Sequence, residues 1–519
     1  METVNLGPVI VAGSFPNSSW DVGTSYAQDL NGDGIDEILF VGGMSIGSNT
    51  SLHIFGWQAG VLQNITNQWF PNESNHAEGV GTVVYGDFNG DHKIDALLTA
   101  YNDMGSALYT YALMNQGDYF NKVDLGLAAL QHGAAVHDIN HDGYTDAITT
   151  GWGYSNGSTT VYMGSAAGLT PYTISAQSRY STGGAGIALG DFLGNGTTTA
   201  VITDHQTSSV HTSADTALMK ITLNESAHTF DLTTISTLPI PILENNTLNP
   251  LGKSLDIRAE TIDFNHDGLL DVMVFSRADF NGTIWPDLSA VQFLKNLGSG
   301  KFEDSTSMML SGYKNTTNVS YTPEFGDFNN DGLLDMFLSG RNTPTTSPFH
   351  DSTTLLLQQS DGSFLDTGRN TLSAAVNSVV GLATLAHGPD GKIFLVTEVV
   401  PFGGGSVTVS AQEMTVSEVS TNRYIIDGTW TGTIPTVEDW ITLGAGDRDI
   451  IRSHITMPEA LALANQFTLE QRTALSAENT AWMAQGHIMH DVGSAIPPVV
   501  IDYTQQTHLK ILPTNCNWA

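Results

Sequence analysis

The chain has 519 residues, with 53 Asp and Glu against 18 Lys and Arg, giving a net charge of −35 and a pI near 4.4. So acidic a chain repels phosphate backbones and anionic headgroups, which argues against nucleic acid and membrane surfaces as partners. The single cysteine, Cys516, permits no internal disulfide, so core packing and bound metal must supply the cross-links.

Hydrophobic content of 40% supports a packed core, and the length allows one large repeat domain plus an appendix, or three ordinary domains. No apolar run approaches the length of a membrane span. Met1-Glu2-Thr-Val-Asn-Leu6 lacks a basic start and Val9-Ile-Val-Ala12 is too short for an h-region, so no signal peptide is expected in this sequence. Eleven Asn-x-Ser/Thr sequons occur, among them Asn17, Asn64, Asn156, Asn245 and Asn315. In a chain this rich in Asn, Ser and Thr many arise by chance, and they do not fix its origin.

In chain order, one acidic motif recurs. It reads Asp29-Leu-Asn31-Gly-Asp33-Gly34-Ile-Asp36-Glu37, then Asp87-Phe-Asn89-Gly-Asp91-His92-Lys-Ile-Asp95, then Asp138-Ile-Asn140-His-Asp142-Gly143-Tyr-Thr-Asp146. After a worn copy, Asp191-Phe-Leu193-Gly-Asn195-Gly196-Thr-Thr-Thr199, it returns as Asp263-Phe-Asn265-His-Asp267-Gly268-Leu-Leu-Asp271 and Asp327-Phe-Asn329-Asn-Asp331-Gly332-Leu-Leu-Asp335. A last remnant, Ala386-His-Gly388-Pro-Asp390-Gly391, keeps only the Asp-Gly step. The starts lie 58, 51, 53, 72, 64 and about 59 residues apart, and each motif runs into a strand-like stretch such as Val272-Met-Val-Phe275.

Fifteen to thirty residues after each motif comes a second landmark, a strand ending in a Gly-containing turn. Examples are Tyr111 to Tyr119, Val161 to Gly168, Val291 to Phe302 and Leu355 to Phe364, all with hairpin signals. The unit therefore reads strand, acidic loop, strand, strand, Gly turn, strand. A period of this length suits one four-stranded sheet per repeat. Seven units predict an all-β, seven-bladed β-propeller over residues 1–427, closed by a strand from one terminus. Val4–Ala12 and Arg423–Trp430 both qualify for that strand.

In each complete motif, oxygen-bearing side chains stand at positions 1, 3, 5 and 9, and in all but the second a Gly at position 6 allows a sharp turn. All-oxygen ligands without His or Cys select a hard cation, and flexible multidentate loops favour Ca2+ over Mg2+. The predicted ligands are Asp29, Asn31, Asp33 and Glu37; Asp87, Asn89, Asp91 and Asp95; Asp138, Asn140, Asp142 and Asp146; Asp263, Asn265, Asp267 and Asp271; and Asp327, Asn329, Asp331 and Asp335. Five Ca2+ ions would then be bound. An EF-hand is excluded, because no helices flank the loops and position 12 holds Phe40, Leu98, Thr149, Val274 or Leu338 instead of Glu. Asp-Gly turns without metal are common in β proteins, but five registered copies outweigh that reading.

These motifs resemble the FG-GAP, or VCBS, repeats of integrin α-subunit heads and of many secreted bacterial proteins, over roughly residues 15–420. The resemblance implies Ca2+ between the first two strands of a blade, on one face of a propeller. Three departures stand out. Glu37 replaces Asp at position 9 and leaves Asp36 or water as alternative ligands; His92 replaces the Gly at position 6; and two units have lost their ligands.

From about 428 to 519 the pattern changes to a small mixed α/β appendix. Thr456-Met-Pro-Glu459 and Thr468-Leu-Glu-Gln471 are capping boxes that open helices. Leu443-Gly-Ala-Gly446-Asp447-Arg-Asp449-Ile450 resembles one repeat of a calcium β-roll, yet such rolls need tandem copies, so a turn between strands is expected. His454, His487, His490 and Asp491 could share a metal, but no partner motif accompanies them. Trp57, Trp69, Trp152 and Trp285 fit blade packing better than sugar platforms.

No nucleophile elbow, zinc-protease motif or phosphate loop is present. The favoured function is a secreted or cell-surface, calcium-binding propeller that binds a protein or glycan, as in adhesion. One alternative is a polysaccharide lyase or hydrolase, marked by Arg, Lys, Tyr or His with carboxylates at the axis. Another is a structural subunit of a surface assembly, docking through the C-terminal region.

Overall fold

The computed structural model describes residues 2–17, 24–41, 50–71, 75–77, 79–100, 108–128, 131–151, 159–175, 184–204, 216–243, 254–278, 289–311, 323–339, 353–367, 371–372, 383–399, 405–418 and shorter stretches between 425 and 475. The chain divides into two compact units, 4–415 and 1–3 with 416–519.

In the larger unit each repeat folds as an antiparallel meander. Repeat 1 pairs Thr24–Gln28, Glu37–Val41, His53–Gln58 and Val61–Asn64 in sequence order. Repeat 2 does the same with Val80–Gly86, Asp95–Ala100, Leu108–Asn115 and Phe120–Ala128. Repeat 5 uses Ser254–Ile262, Asp271–Ala278, Ser289–Asn296 and Phe302–Asp304. Repeat 6 uses Glu324–Gly326, Asp335–Leu338, Thr354–Gln358 and Phe364–Thr367, with Leu310–Ser311 added beside the last. The second strands Asp95–Ala100 and Asp335–Leu338 are buried at every residue. A strand covered on both faces needs no polar alternation, which is why these runs read as nearly unbroken apolar sequence.

The seventh repeat supplies Ala383–His387, Ile393–Val399 and Gly405–Glu418, and the N-terminal strands Glu2–Leu6 and Ile10–Asn17 both add to the last of these. Of the two candidate closing segments, the N-terminal one therefore completes a sheet. Its register runs from Ile10↔Ala411 to Asn17↔Gly405. The stretch around 423–430 gives only a two-residue pairing, Ile425–Ile426 with Thr429–Trp430.

The expected seven separate blades are not what the sheets display. Five blades stand alone as sheets of four or five strands, while repeats 3 and 4 share a single eight-stranded sheet. The cause is a short parallel pairing of their last strands, Thr173↔Thr229 and Ile174↔Phe230. Two edge strands brought side by side satisfy each other's free N–H and C=O groups.

Successive repeats pack through shared apolar clusters. Phe15, Phe40, Phe55 and Phe394 join repeats 7 and 1, and Leu39, Trp69, Leu98 and Phe120 join 1 and 2. Phe88 with Tyr162, Ile148 with Ile202, Phe192 with Val272, and Phe293 with Leu356 continue the series to repeat 6. The first strands of neighbouring repeats lie against one another, repeat 2 on 3, 3 on 4, 4 on 5, and 7 on 1. Together these contacts make a propeller-like arrangement in which the first strands form the inner wall. At that wall the backbones come close: a Cβ on Gly186 would sit 2.4 Å from the Cα of Arg258.

The C-terminal unit holds short helices, Val437–Thr442 and Ala445–Arg452, around Trp440, Leu443, Ile451, Ile455, Leu463, Phe467 and Leu475. The acidic stretch from Leu443 to Ile450, expected as a turn between strands, is corrected here: it enters the second helix. Arg448 is the physical reason, because its fully buried guanidinium donates to the carbonyls of Leu443 and Trp440 and ties the two helices together. The capping box at Thr468 is formed, with Thr468 N–H donating to Gln471 Oε1 at 2.8 Å and Gln471 N–H to Thr468 Oγ1 at 3.2 Å.

Gly186→Ala is expected to destabilise the protein by about 1–3 kcal/mol, the usual cost of overpacking. Denaturant unfolding checks this, and an unchanged midpoint would show that the inner strands are not in such contact.

Candidate metal-binding turns

Repeat 5 displays the turn in full. Asp263 Oδ1 accepts the Asp267 N–H at 3.2 Å and its Oδ2 accepts the Gly268 N–H at 3.0 Å. Asn265 Oδ1 accepts the Asp267 N–H at 3.0 Å, and Asp267 Oδ1 accepts the Leu269 N–H at 3.0 Å. Positions 1, 3 and 5 thus curl the backbone around their own oxygens. The same position 1 bonds recur from Asp29, Asp87, Asp138 and Asp327.

Two backbone positions in each turn are left-handed. At position 6 Gly34, Gly143, Gly268 and Gly332 have φ between 82° and 91°, and His92 takes φ 65° in the place of Gly. Position 4 is left-handed as well, at Gly32, Gly90, His141, His266 and Asn330. Sequence reasoning missed position 4. Its signal was the restriction of that position to Gly, His and Asn, residue types enriched in this conformation.

The position 9 carboxylates lie beneath the turns. Asp95, Asp146, Asp271 and Asp335 have no exposed surface. Each ties its turn to the third strand of the same repeat. Asp95 accepts from Phe88 N–H at 3.1 Å and Asn115 N–H at 2.7 Å; Asp146 from Ile139 N–H at 2.8 Å and Gly164 N–H at 2.7 Å. Asp335 accepts from Phe328 N–H and Gln358 N–H, both at 2.9 Å, and Asp271 from Asn296 N–H at 2.7 Å. Glu37 lies beneath the turn of repeat 1, accepting from Leu30 N–H at 3.0 Å and from Asn31 Nδ2 at 2.9 Å, both within the turn. Asp36 is turned elsewhere: its Oδ2 accepts the His387 N–H at 2.7 Å and lies 3.0 Å from His387 Nδ1.

Burial pushes these carboxyls up from their ordinary values, Asp95 and Asp146 to about 6, Asp271 and Asp335 to about 7, and Glu37 to about 7. Backbone N–H donors pull the other way, and the acidic residues at positions 1 and 5 add to the rise. Among the described residues no three His, Cys, Asp or Glu side chains are gathered so as to hold an ion as they stand. The donor chemistry nevertheless fits a hard cation, since positions 1, 3 and 5 offer carboxylate and amide oxygens and neither imidazole nor thiolate. In two turns a lysine lies near the acids, Lys93 Nζ at 2.8 Å from Asp91 and Lys295 Nζ at 3.5 Å from Asp267.

Residues 29–98 and 263–338 match the family described as FG-GAP-like repeat. These two stretches, which hold the acidic turns of repeats 1, 2, 5 and 6, are FG-GAP-like. Among curated proteins none matches the chain in sequence. Solved structures with similarity include a Lactobacillus plantarum protein, at 11% identity and TM-score 0.39 over 74% of this chain and 99% of that one. The V. cholerae biofilm matrix protein Bap1 follows at 11% and 0.31, over 79% and 71%. A GH43_1 enzyme from Xanthomonas citri aligns at 11% and 0.31, over 69% and 95%.

Repeat 4 keeps the same turn without two of its ligand residues. Asp191 still accepts from Asn195 N–H at 3.1 Å and Gly196 N–H at 2.6 Å, and Asn195 Oδ1 from Thr197 N–H at 3.0 Å. Leu193 and Thr199 stand at positions 3 and 9, and Thr199 Oγ1 donates to the Gly190 carbonyl at 3.0 Å. The turn therefore needs neither the position 3 amide nor the position 9 carboxylate.

A second function of the hairpin landmark was half legible. Asn296 Oδ1 accepts the Gly298 N–H at 2.9 Å, as a turn residue should, but its Nδ2 also donates to the Leu270 and Phe192 carbonyls, both at 2.9 Å. Phe192 is position 2 of the preceding repeat's turn. Asn115 reaches Leu30 in the same way at 2.6 Å, and Gln358 reaches Phe264 at 3.1 Å. These amides latch the turns of repeats 1, 4 and 5 to the repeat that follows.

The remaining predicted groups divide simply. Trp69 is buried against Phe120 at 4.9 Å and Trp57 packs on Phe394 at 4.3 Å. His454 Nδ1 lies 2.8 Å from the Ile450 carbonyl. Trp152, Trp285, His487, His490 and Asp491 lie outside the described residues.

The raised carboxyl values set a pH dependence for the metal-free protein. A folded-state pKa above the unfolded one means the folded form holds its proton more tightly. This contribution is fully present below about pH 4 and is lost as pH rises through about 6 to 7. In chelator, the thermal midpoint is expected to fall from pH 5 to pH 8. A midpoint that rises across that window in Asp271→Asn and wild type alike would show that these carboxyls are not responsible.

Proposed function

We propose that residues 4–415 form a calcium-stabilised propeller, secreted or displayed at a cell surface, that binds a protein or glycan. The observation that carries the ion is the comparison of repeat 4 with the others. Its turn forms with Leu193 and Thr199 at ligand positions, so the extra oxygens in the other five are not needed to shape the backbone. Three or four acids within one turn repel each other, and a divalent cation offsets that repulsion. Asp, Asn and Asp at positions 1, 3 and 5 would hold it, with the position 9 carboxylate beneath. Bound calcium would supply charge neutralisation and a cross-link in a chain without disulfides. Millimolar calcium outside the cell suits exposed sites of this kind.

On this reading the eight-stranded sheet counts as two blades that share an edge pairing, and seven units complete the ring, as in VCBS and integrin-like propellers. Rigid blades then present their connecting loops to a partner. Among the described residues no helix is long and apolar enough to cross a membrane.

Calcium is expected to raise the thermal midpoint and chelator to lower it. Asp267→Ala should remove part of that difference, and Asn195→Ala should leave it intact. Differential scanning calorimetry checks both. Equal midpoints in calcium and chelator would sink the ion, and equal effects of the two substitutions would show that the repeat 5 turn is not loaded.

A further inference from the structure

The worn turn of repeat 4 differs from the five acidic turns in what it has gained as well as in what it has lost. Position 5 is Asp33, Asp91, Asp142, Asp267 or Asp331 in those turns and Asn195 here. Position 7 is Ile35, Lys93, Tyr144, Leu269 or Leu333 in those turns and Thr197 here. With Gly196 between them, these two residues make an Asn-x-Thr sequon, and none of the acidic turns contains one.

The backbone requires neither change. In the acidic turns the position 5 Oδ1 accepts the position 7 N–H at 2.8 to 3.0 Å, and Asn195 Oδ1 accepts the Thr197 N–H at 3.0 Å. The amide oxygen reproduces the carboxylate's contact and leaves an amide nitrogen over. At position 3 that nitrogen is used: Asn31, Asn140, Asn265 and Asn329 donate from Nδ2 to Glu37, Asp142, Asp271 and Asp331, each at 2.9 Å. Asn195 Nδ2 and Thr197 Oγ1 make no hydrogen bond among the described residues, and Asn195, Gly196 and Thr197 are all exposed.

A second sequon stands at the same end of the sheet. In an antiparallel meander the first-to-second turn and the third-to-fourth hairpin leave from one end, and Asn224-Glu225-Ser226 occupies that hairpin, all three exposed. Asn224 caps the single helical turn Glu225–Ala227, its Oδ1 accepting from Ala227 N–H at 3.3 Å and from the Ser226 hydroxyl at 3.0 Å. Asp would cap as well. Here too Nδ2 has no partner among the described residues.

Three of the eleven sequons have side chains among the described residues, and the fold accounts for the third, Asn64-Ile65-Thr66. Thr66 is buried and its Oγ1 accepts the Ile54 N–H at 3.0 Å, while Asn64 Oδ1 accepts the Thr66 N–H at 3.0 Å. Asp304 and Thr306 make the same two bonds in repeat 5 without a sequon, both at 2.9 Å. No such duty explains Thr197. At 195 and 224 asparagine supplies one thing that aspartate would not, an unengaged amide nitrogen on an exposed residue.

We propose that Asn195 and Asn224 are acceptors for N-linked glycans at the turn end of repeat 4. Nδ2 bonds to the anomeric carbon of a polyprenyl-diphosphate-linked oligosaccharide. The bond from that carbon to the diphosphate oxygen breaks, the diphosphate leaves with the electron pair, and one Nδ2 proton passes to a base of the transferring enzyme. The hydroxyl two residues on is the recognition element of the sequon. Transfer precedes folding, and the fold keeps the sugar outside because neither asparagine nitrogen has a structural bond to give up. The assignment rests on the export proposed above and on neither the calcium nor the partner.

The test is the full chain sent into the secretory route of cultured eukaryotic cells behind a cleavable leader. Its glycans are removed by peptide-N-glycosidase in heavy-oxygen water, and its peptides are read by mass spectrometry. The Asn195 and Asn224 peptides are expected to carry heavy-oxygen Asp, the mark of a released glycan. Thr197→Val should abolish the mark at Asn195 and Ser226→Ala that at Asn224, each leaving the other site marked and the calcium-dependent rise in thermal midpoint intact. Either site is overturned if its peptide returns unmodified, if it carries only light-oxygen Asp from spontaneous deamidation, or if the mark survives loss of its hydroxyl. Protein retained in the cells is read the same way, because transfer precedes folding. The leader supplies entry, so an unmodified peptide counts against the site and not against export.

Discussion

In repeats 2, 3, 5 and 6 a buried carboxylate at the base of the acidic turn is the contact that ties the turn to its sheet. Asp95, Asp146 and Asp335 each accept one N–H from the turn and one from the third strand of the same sheet. One side chain thereby fixes the turn, the second strand that follows it, and the register of the third. The cost is a charge without solvent, seen in carboxyls raised to about 6 or 7. Repeat 4 avoids the cost by using Thr199, whose hydroxyl needs no counter-charge.

The latches extend this local order around the ring. Asn115, Asn296 and Gln358 reach from one third strand to the position 2 carbonyl of the preceding turn. At the join between the last and first repeats the same task falls to Asp36 and His387, with Asp36 N–H donating to the His387 carbonyl at 2.8 Å. Apolar clusters between sheets supply the bulk of the adhesion, but they are non-directional. The amide and carboxylate contacts specify how each sheet is set against the next.

Much of this was legible. The acidic motif, its spacing, the apolar second strands and the Gly hairpins all rest on contacts a few residues apart, and each appears where the sequence put it. The closing strand was narrowed to two segments, and strand length decided between them. The role of Glu37 was open in the sequence and became clear only when Asp36 was found turned to His387, some 350 residues away in the chain. The Leu443 to Ile450 stretch was misread because a buried arginine, not the acids around it, directs the chain there.

The sequence by itself determined the repeat, the all-β class and the oxygen-rich turns, because these depend on periodicity and on backbone conformations that few residue types tolerate. Only the tertiary structure decided the pairing of edge strands that fuses repeats 3 and 4, and the turning of Asp36 to His387 at the join of the last and first repeats. Neither contact has a motif of its own. Both follow from how the sheets pack against one another, which no local stretch encodes.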